Sequence, residues 1–125
     1  MKKTIATTNA PQAIGPYSQG IQAGSLVFAS GQLPINLATG ELVGEIKAAI
    51  KQALENTKAI LEAGGSSFDL AVKVTIFLRD MNDFSVVNEI YSTYFGKDAP
   101  ARSCVQVAQL PKNAILEIEA IGLIQ

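Results

Sequence analysis

The clearest pattern in the chain is a helical repeat between residues 46 and 63. Apolar side chains recur there at steps of three and four residues, and charged side chains occupy the other faces. The repeating positions are Ile46, Ile50, Ala53, Leu54, Thr57, Ile60 and Leu61. Gly64 and Gly65 follow at once, and glycine is a common residue where helices end. The pattern predicts an amphipathic helix over 46–63.

The other apolar runs are typical of strands. Residues 70–78 are nearly all apolar and rich in β-branched side chains, which predicts a strand covered on at least one face. Residues 21–28 predict two strands joined by a tight turn at Gly24. Residues 102–109 and 115–124 predict two final strands, with a turn at Pro111-Lys112-Asn113 between them.

A second helix is predicted from Phe84 to Tyr94. Apolar side chains repeat there at helical spacing, Asp80, Asn82 and Asp83 can cap its start, and Gly96 follows its end.

The element order is strand, strand, a less defined third strand, helix, strand, helix, strand, strand. This order predicts a single α+β domain over 1–125, a mixed sheet with two helices on one face. The other face is then covered by another subunit or left to solvent.

The composition favours self-association. Only 17% of the 125 residues are charged, where about 25% is usual, and 48% are hydrophobic. A domain of this size buries a core without disulfides or metal ions. A small chain with so little charge is expected to hide apolar surface against copies of itself.

Several classes of function are excluded by the residue types present. The chain has no histidine, which excludes histidine-based acid–base catalysis, catalytic triads and histidine-ligated metal. A single cysteine cannot form an internal disulfide and fits a reducing compartment. The net charge of −1, with scattered lysines, argues against nucleic-acid binding. Without a membrane-length apolar run or a signal-peptide core, we expect a soluble, cytoplasmic protein.

Arg102 is the first candidate for chemistry. It opens a predicted strand after Ala99-Pro100-Ala101, among small and β-branched neighbours. A guanidinium can hold a carboxylate through two parallel hydrogen bonds. An unpaired buried charge is costly, so Arg102 needs a partner. That partner is either an internal acid such as Glu117 or Glu119, or the carboxylate of a ligand.

Glu117 and Glu119 are the second candidate. They alternate with Leu116, Ile118 and Ala120, so both carboxylates point to one face of the last strand. Two like charges on a partly apolar face are costly unless a cation or a bound water uses them. Either one glutamate is exposed and the other is paired, or one of them serves as a general base. A carboxylate is the natural candidate for that role, because the chain has no histidine.

Four further residues have both a structural and a functional interpretation. Cys104 alternates onto the Arg102 face and is either a small buried apolar residue or a ligand contact. Tyr17 lies in a stiff loop and serves packing or ligand contact. Ser30 and Gly31 close a predicted strand, and the glycine lets another group approach the backbone closely.

The motifs that carry these residues resemble the RidA family, also called the YjgF family, from about Thr4 to Ile124. The third of the four motifs is the family signature. They are Ile14-Gly15-Pro16-Tyr17-Ser18-Gln19-Gly20; Ser30-Gly31-Gln32-Leu33-Pro34 with Thr39-Gly40; Pro100-Ala101-Arg102-Ser103-Cys104-Val105 with Leu110-Pro111-Lys112; and Leu116-Glu117-Ile118-Glu119. Gln106 and Gln109 depart from the charged residues of many relatives.

The resemblance implies a chorismate-mutase-like subunit in a homotrimer, with the sheets forming a central barrel and three sites between subunits. Archetypal RidA members hydrolyse 2-imino acids, or their enamines such as 2-aminoacrylate, to 2-keto acids and ammonia, without a metal or organic cofactor. By resemblance, Arg102 grips the substrate carboxylate and Glu117 positions the water. The family's remaining contacts fall on Tyr17, Ser30, Gly31 and Cys104.

Two other functions remain open within the same family. The Arg102 cleft could bind 2-keto acids without turnover, as a ligand-sensing module. Family members have also been linked to translation inhibition, RNA cleavage and chaperone-like action. The net charge of −1 and the absence of a Lys/Arg cluster speak against an RNA role.

Overall fold

The chain forms six strands and two helices, and a computed structural model describes all residues, 1–125. The strands are β1 (Lys2–Ile5), β2 (Gly20–Ala23), β3 (Leu26–Gln32), β4 (Ala71–Leu78), β5 (Ala101–Gln106) and β6 (Leu116–Leu123). The helices are α1 (Ile46–Ala63) and α2 (Phe84–Tyr91). Short 3₁₀ turns lie at Phe68–Leu70, Met81–Asp83 and Pro111–Asn113.

All six strands join one mixed sheet in the spatial order β1-β2-β3-β6-β4-β5. β4 and β5 are parallel, and every other neighbouring pair is antiparallel. The parallel pair is connected through α2, as parallel strands need a crossover. The predicted mixed α+β sheet is confirmed. The less defined third strand expected between the first two strands and the first helix is wrong, because only an isolated bridge between Ile35 and Leu42 forms there. The additional strand is β1, which precedes the other two and pairs with β2 at the sheet edge.

The predicted first helix is confirmed at both ends. Glu45 caps it, because its carboxylate accepts hydrogen bonds from the backbone N–H groups of Lys47 at 2.7 Å and Ala48 at 3.2 Å. The left-handed residue after the helix is Gly65, with φ of +89°, whereas Gly64 has φ of −91°. Gly64 is therefore needed for space and not for its backbone angle.

The predicted second helix is shorter than expected and ends at Tyr91 rather than Tyr94. The amides of Thr93 and Tyr94 bond back three residues, each at 3.0 Å, which tightens the chain into a 3₁₀ turn. The Thr93 hydroxyl also donates to the Ile90 carbonyl at 2.6 Å. Local side-chain bonds of this kind compete with helix continuation.

Both helices pack on one face of the sheet, as predicted. Alternate residues of the central strands point to that face and are buried with residues of α1 and α2 in one apolar cluster. The strand residues that form it are Val27, Ala29, Val74, Ile76, Leu78, Leu116, Ile118 and Ala120. We call this side the helix face and the opposite side the open face.

The open face combines apolar and charged side chains. Phe28 is 38% exposed, Val105 is 43% exposed and Leu123 is 40% exposed, all large apolar residues. Glu117 and Glu119 lie on the same face, opposite Phe77 and Thr75 in the β4–β6 register. The alternation predicted for the two glutamates is confirmed. No helix of the chain has the length and apolar character needed to cross a membrane.

Gly64 gives a test of the packing between α1 and the sheet. A Cβ there would lie 2.5 Å from Ile5 Cδ1 and 2.8 Å from Val27 Cγ1, both in the core. We expect Gly64→Ala to lower the free energy of unfolding by about 1 to 3 kcal/mol through overpacking. Urea denaturation followed by circular dichroism measures this loss.

Gly44→Ala is the matched control, because a Cβ at Gly44 meets nothing within 4 Å. The control is expected to change the free energy of unfolding by no more than about 0.5 kcal/mol. Equal effects of the two substitutions would contradict this account of the interface between α1 and the sheet.

Candidate functional site

Arg102 projects from the edge strand β5 towards α2. Its Nη1 donates a hydrogen bond to Asn88 Oδ1 at 2.8 Å. The guanidinium carbon lies 4.8 Å from the centre of the Tyr91 ring and 5.6 Å from that of Phe84. Such distances are within the range of cation–π contact. The guanidinium is thus held by a neutral amide and by aromatic rings.

The prediction that Arg102 pairs with an internal acid such as Glu117 or Glu119 is wrong. Arg102 pairs with Val74 in the β4–β5 register, which puts its side chain on the helix face. Glu117 pairs with Phe77 of β4, and the side chains of this pair point to the open face. The only ion pair in the chain joins Lys47 to Glu89. The positive charge of Arg102 therefore has no carboxylate partner within the subunit.

Cys104 lies two residues beyond Arg102 on the same face, as predicted. It is half-buried and packs against the core cluster. Burial raises the pKa of its thiol, and the positive charge of Arg102 opposes that shift. A thiol of this kind stays protonated near neutral pH and suits a contact better than a nucleophile. No three His, Cys, Asp or Glu side chains gather as a metal site would require.

Glu117 is half-buried on the open face and lies against Gly31. A register shift in the β3–β6 pairing occurs between Ala29 and Gln32, and it brings this stretch of β3 up to the glutamate. A Cβ on Gly31 would clash with the Glu117 carboxylate, whose Cδ would be 2.8 Å away. Position 31 therefore requires a glycine, since the Glu117 side chain occupies the space that a Cβ would fill.

The charge state of Glu117 is set by its surroundings. Burial raises the pKa of its carboxyl, and the nearby charge of Glu119 raises it further. Glu119 itself is exposed. The expected combination of one exposed and one paired glutamate holds only in part, because Glu117 has no ion-pair partner. A half-buried carboxylate with a raised pKa and no cation is suited to accept a proton.

Ser30 and Tyr17 lie in neighbouring segments. The Ser30 hydroxyl donates to the Ser18 carbonyl at 2.6 Å, and the Ser30 amide donates to the Gln19 carbonyl at 2.9 Å. Tyr17 is 53% exposed, and its hydroxyl oxygen accepts a long 3.4 Å bond from the Ile14 amide. These contacts tie the Tyr17 loop to the strand that carries Gly31.

The predicted site residues therefore fall into two groups within one chain. Arg102 and Cys104 lie on the helix face at the β5 edge. Glu117 and Gly31 are in contact on the other side, with Ser30 adjacent to Gly31 and the Tyr17 loop bonded to Ser30 through Ser18. Three surface cavities of about 300, 200 and 380 Å³ are lined by none of these residues. A single subunit does not bring the two groups together.

The sequence reasoning missed two residues that support the site. Asn88, the hydrogen-bond partner of Arg102, is a polar residue four positions after Phe84, and this helical spacing was the available signal. Gln19 is buried, and its side-chain amide bonds to Thr7, Ala10 and Pro11, which holds the amino-terminal segment against the Tyr17 loop. A glutamine before a glycine gave no sign of this role.

Gln106, one of the two departures from the family pattern, has a local role. Its side-chain oxygen accepts a 2.7 Å hydrogen bond from the amide of Met81. The bond ties the end of β5 to the 3₁₀ turn that leads into α2. It thus steadies the two elements that carry Arg102 and Asn88.

Comparison with known proteins identifies the family of the chain. A family model described as Endoribonuclease L-PSP matches residues 7–124. A RutC family protein of Pyrococcus horikoshii is 56% identical over 123 residues, 98% of each chain. The 2-iminobutanoate/2-iminopropanoate deaminase of Escherichia coli is 50% identical over 126 aligned positions, again 98% of each chain.

Solved structures of related proteins share this fold. A crystal structure of Escherichia coli TdcF with bound serine superposes with a TM-score of 0.94 at 48% identity, covering 98% of this chain and 99% of that one. The match to the family model, the identity of the relatives and the shared fold lead to one conclusion. The chain belongs to the Endoribonuclease L-PSP family, which is the RidA or YjgF family that its motifs predicted.

Proposed function

We propose that this protein hydrolyses reactive 2-imino acids to 2-keto acids and ammonia. The observation that carries the proposal is the unpaired charge of Arg102, held by Asn88 and two aromatic rings with no carboxylate beside it. A fixed guanidinium with free N–H groups is suited to a ligand carboxylate. The name of the Escherichia coli relative, 2-iminobutanoate/2-iminopropanoate deaminase, supports the same substrate class.

The proposed chemistry requires positioning more than a strong nucleophile, because an iminium carbon is already electrophilic. Arg102 anchors the carboxylate, and Glu117 takes a proton from a water as its oxygen bonds to the imine carbon. The C=N electrons move to nitrogen and give a carbinolamine. Glu117 next gives this proton to the carbinolamine nitrogen. As the C–N bond breaks and ammonia leaves, Glu117 takes the hydroxyl proton, and the oxygen lone pair forms the C=O bond of the keto acid.

The other predicted contacts have supporting roles in this proposal. Backbone groups near Gly31 and Cys104 orient the imine nitrogen, and Ser30 fixes the strand beside them. Tyr17, which is largely exposed, closes the pocket over the substrate. Water is the only co-reactant that this hydrolysis needs, so it requires no metal or organic cofactor.

We further propose that each site is built from two copies of the chain in a homotrimer. Arg102 and Glu117 lie on opposite faces of one sheet, so the Arg102 of one copy would work with the Glu117 of another. The exposed apolar residues of the open face support a packing of the sheets around a central barrel. The low charge of the chain points the same way.

The first test measures keto-acid release from a freshly generated imine. A PLP-dependent dehydratase supplies 2-iminobutanoate or 2-aminoacrylate, and semicarbazide competes by trapping it. Arg102→Ala is expected to lose nearly all activity while remaining folded. Arg102→Lys keeps the charge but loses the paired donors, and a loss of about 2 kcal/mol would lower kcat/KM roughly 30-fold.

Full activity of Arg102→Lys would show that the paired anchor is wrong. If the wild-type protein binds 2-ketobutanoate but gives no rate above the uncatalysed one, the cleft is a receptor and not an enzyme. If it shows neither binding nor turnover, the protein- or RNA-interacting alternative becomes the one to test. Circular dichroism of each variant separates lost chemistry from lost folding.

Subunit mixing tests the two-copy site. Arg102→Ala and Glu117→Gln chains are each expected to be inactive. Unfolded together and refolded in equal amounts, roughly three quarters of random trimers are mixed, and each mixed trimer holds one intact site of three. We therefore expect about a quarter of wild-type activity to return. The control is the Arg102→Ala, Glu117→Gln double variant, unfolded and refolded alone in the same way. No recovery of activity when the two single variants are refolded together would contradict the two-copy site.

The pH profile of kcat/KM tests Glu117 as the base. Because its pKa is raised and it must be ionised to accept a proton, the rate is expected to fall as the pH drops through that raised pKa. Glu119→Gln removes a nearby negative charge and should move the acidic limb to lower pH. A limb that moves up, or a Glu117→Gln variant with an unchanged rate, would remove Glu117 from the mechanism.

A further inference from the structure

Tyr91 lies closer to the Arg102 guanidinium than any other aromatic ring. The guanidinium carbon is 4.8 Å from its ring centre, against 5.6 Å for Phe84. Tyr91 is also 7% exposed, whereas Phe84 is 37% exposed. A cation–π contact is stronger where water is excluded, so the Tyr91 ring is the more effective of the two.

The Tyr91 ring is itself fixed by other aromatic side chains. Its centre is 4.5 Å from that of Phe95, and Phe95 is 4.6 Å from Phe68. Phe68 in turn meets Tyr94 edge to face at 5.9 Å. This chain of rings connects α2 and the residues after it to the 3₁₀ turn before β4. The packed rings hold the Tyr91 ring in place against the Arg102 guanidinium.

The contact between Tyr91 and Arg102 is made through the ring and not through the hydroxyl. The Tyr91 hydroxyl is buried and has no hydrogen-bond partner. The single hydrogen bond of the Arg102 side chain goes to Asn88. A guanidinium has five N–H donors in one plane, so four remain after the Asn88 bond is made.

We propose that Tyr91 is a positioning residue that fixes the plane of the Arg102 guanidinium for its ligand. The ring restricts tilting of the guanidinium, and the Asn88 oxygen restricts rotation within its plane. Together they pre-order a side chain that otherwise loses considerable rotamer freedom when it binds. The catalytic consequence of this inference rests on the proposed function, but the ordering of Arg102 does not.

The direct test is ¹⁵N relaxation of the arginine Nε–H groups in the full-length protein. The chain contains only two arginines, Arg79 and Arg102, so their signals are readily assigned. We expect Tyr91→Leu to make the Arg102 Nε–H clearly more mobile, and Tyr91→Phe to restore its order. Arg79, whose Nη1 bonds to the Asn113 carbonyl at 2.8 Å, is the internal control and should not change.

Tyr94→Leu is the matched control variant. It removes a ring of the same aromatic cluster that does not touch Arg102, and with it a hydroxyl that donates to Glu55 at 2.7 Å. Arg102 is expected to stay ordered in this variant. If Tyr91→Leu fails to fold, Tyr91→Met fills the space without a ring face and carries the same expectation.

The kinetic prediction is a split between KM and kcat. Loss of the ring should raise KM for the imine about fivefold and leave kcat within about twofold, since the anchor is looser but its charge remains. Tyr91→Phe should return KM to near the wild-type value. A purely structural role would instead lower thermal stability without this split.

The outcomes separate this inference from the proposed function. Unchanged Arg102 dynamics in Tyr91→Leu, or equal loss of order in Tyr91→Phe, would overturn the positioning role whatever the activity. An ordered Arg102 that loosens as expected, in a protein whose Arg102→Ala variant is fully active, would keep the positioning role and overturn the deaminase proposal.

Discussion

The alternation of side chains along the central strands is the constraint on which the molecule depends. α1 and α2 cover one face of the central strands, so alternate residues of β4 and β6 are buried in the core. A one-residue slip would turn the buried row outwards and carry Glu117 inwards. The same packing that stabilises the fold therefore fixes the face on which each functional group lies.

This constraint has a direct consequence for function. Arg102 and Glu117 cannot meet within one subunit, because their strands present them on opposite faces. Each is nonetheless prepared separately: Arg102 by Asn88 and Tyr91, Glu117 by the missing side chain of Gly31. Two prepared but separated groups, with apolar side chains exposed on the open face, are what a site shared between copies would require.

The sequence predicts the elements that depend on local patterns. The repeat over 46–63 contains a full amphipathic face and a stop, and the helix has those ends. The glutamate face of β6 also followed from alternation, because Leu116, Ile118 and Ala120 are plainly apolar. Asn88 was the one part of the Arg102 environment with a local signal, its spacing from Phe84 on the helix.

The rest depends on pairing between distant segments. β5 carries small and apolar residues on both faces, so nothing local tells which face Arg102 takes; its register with β4 decides this. The contact of Gly31 with Glu117 arises from a register shift between strands far apart in sequence. The early end of α2 depends on side-chain bonds that helical periodicity does not reveal.

A crystal structure with a bound 2-keto acid product tests the central claim most directly. The account predicts that the ligand carboxylate lies against the Arg102 guanidinium, still held by Asn88, and that Glu117 of a second copy faces the keto carbon. A ligand that does not contact Arg102, or one that meets Arg102 and Glu117 of the same chain, would contradict it.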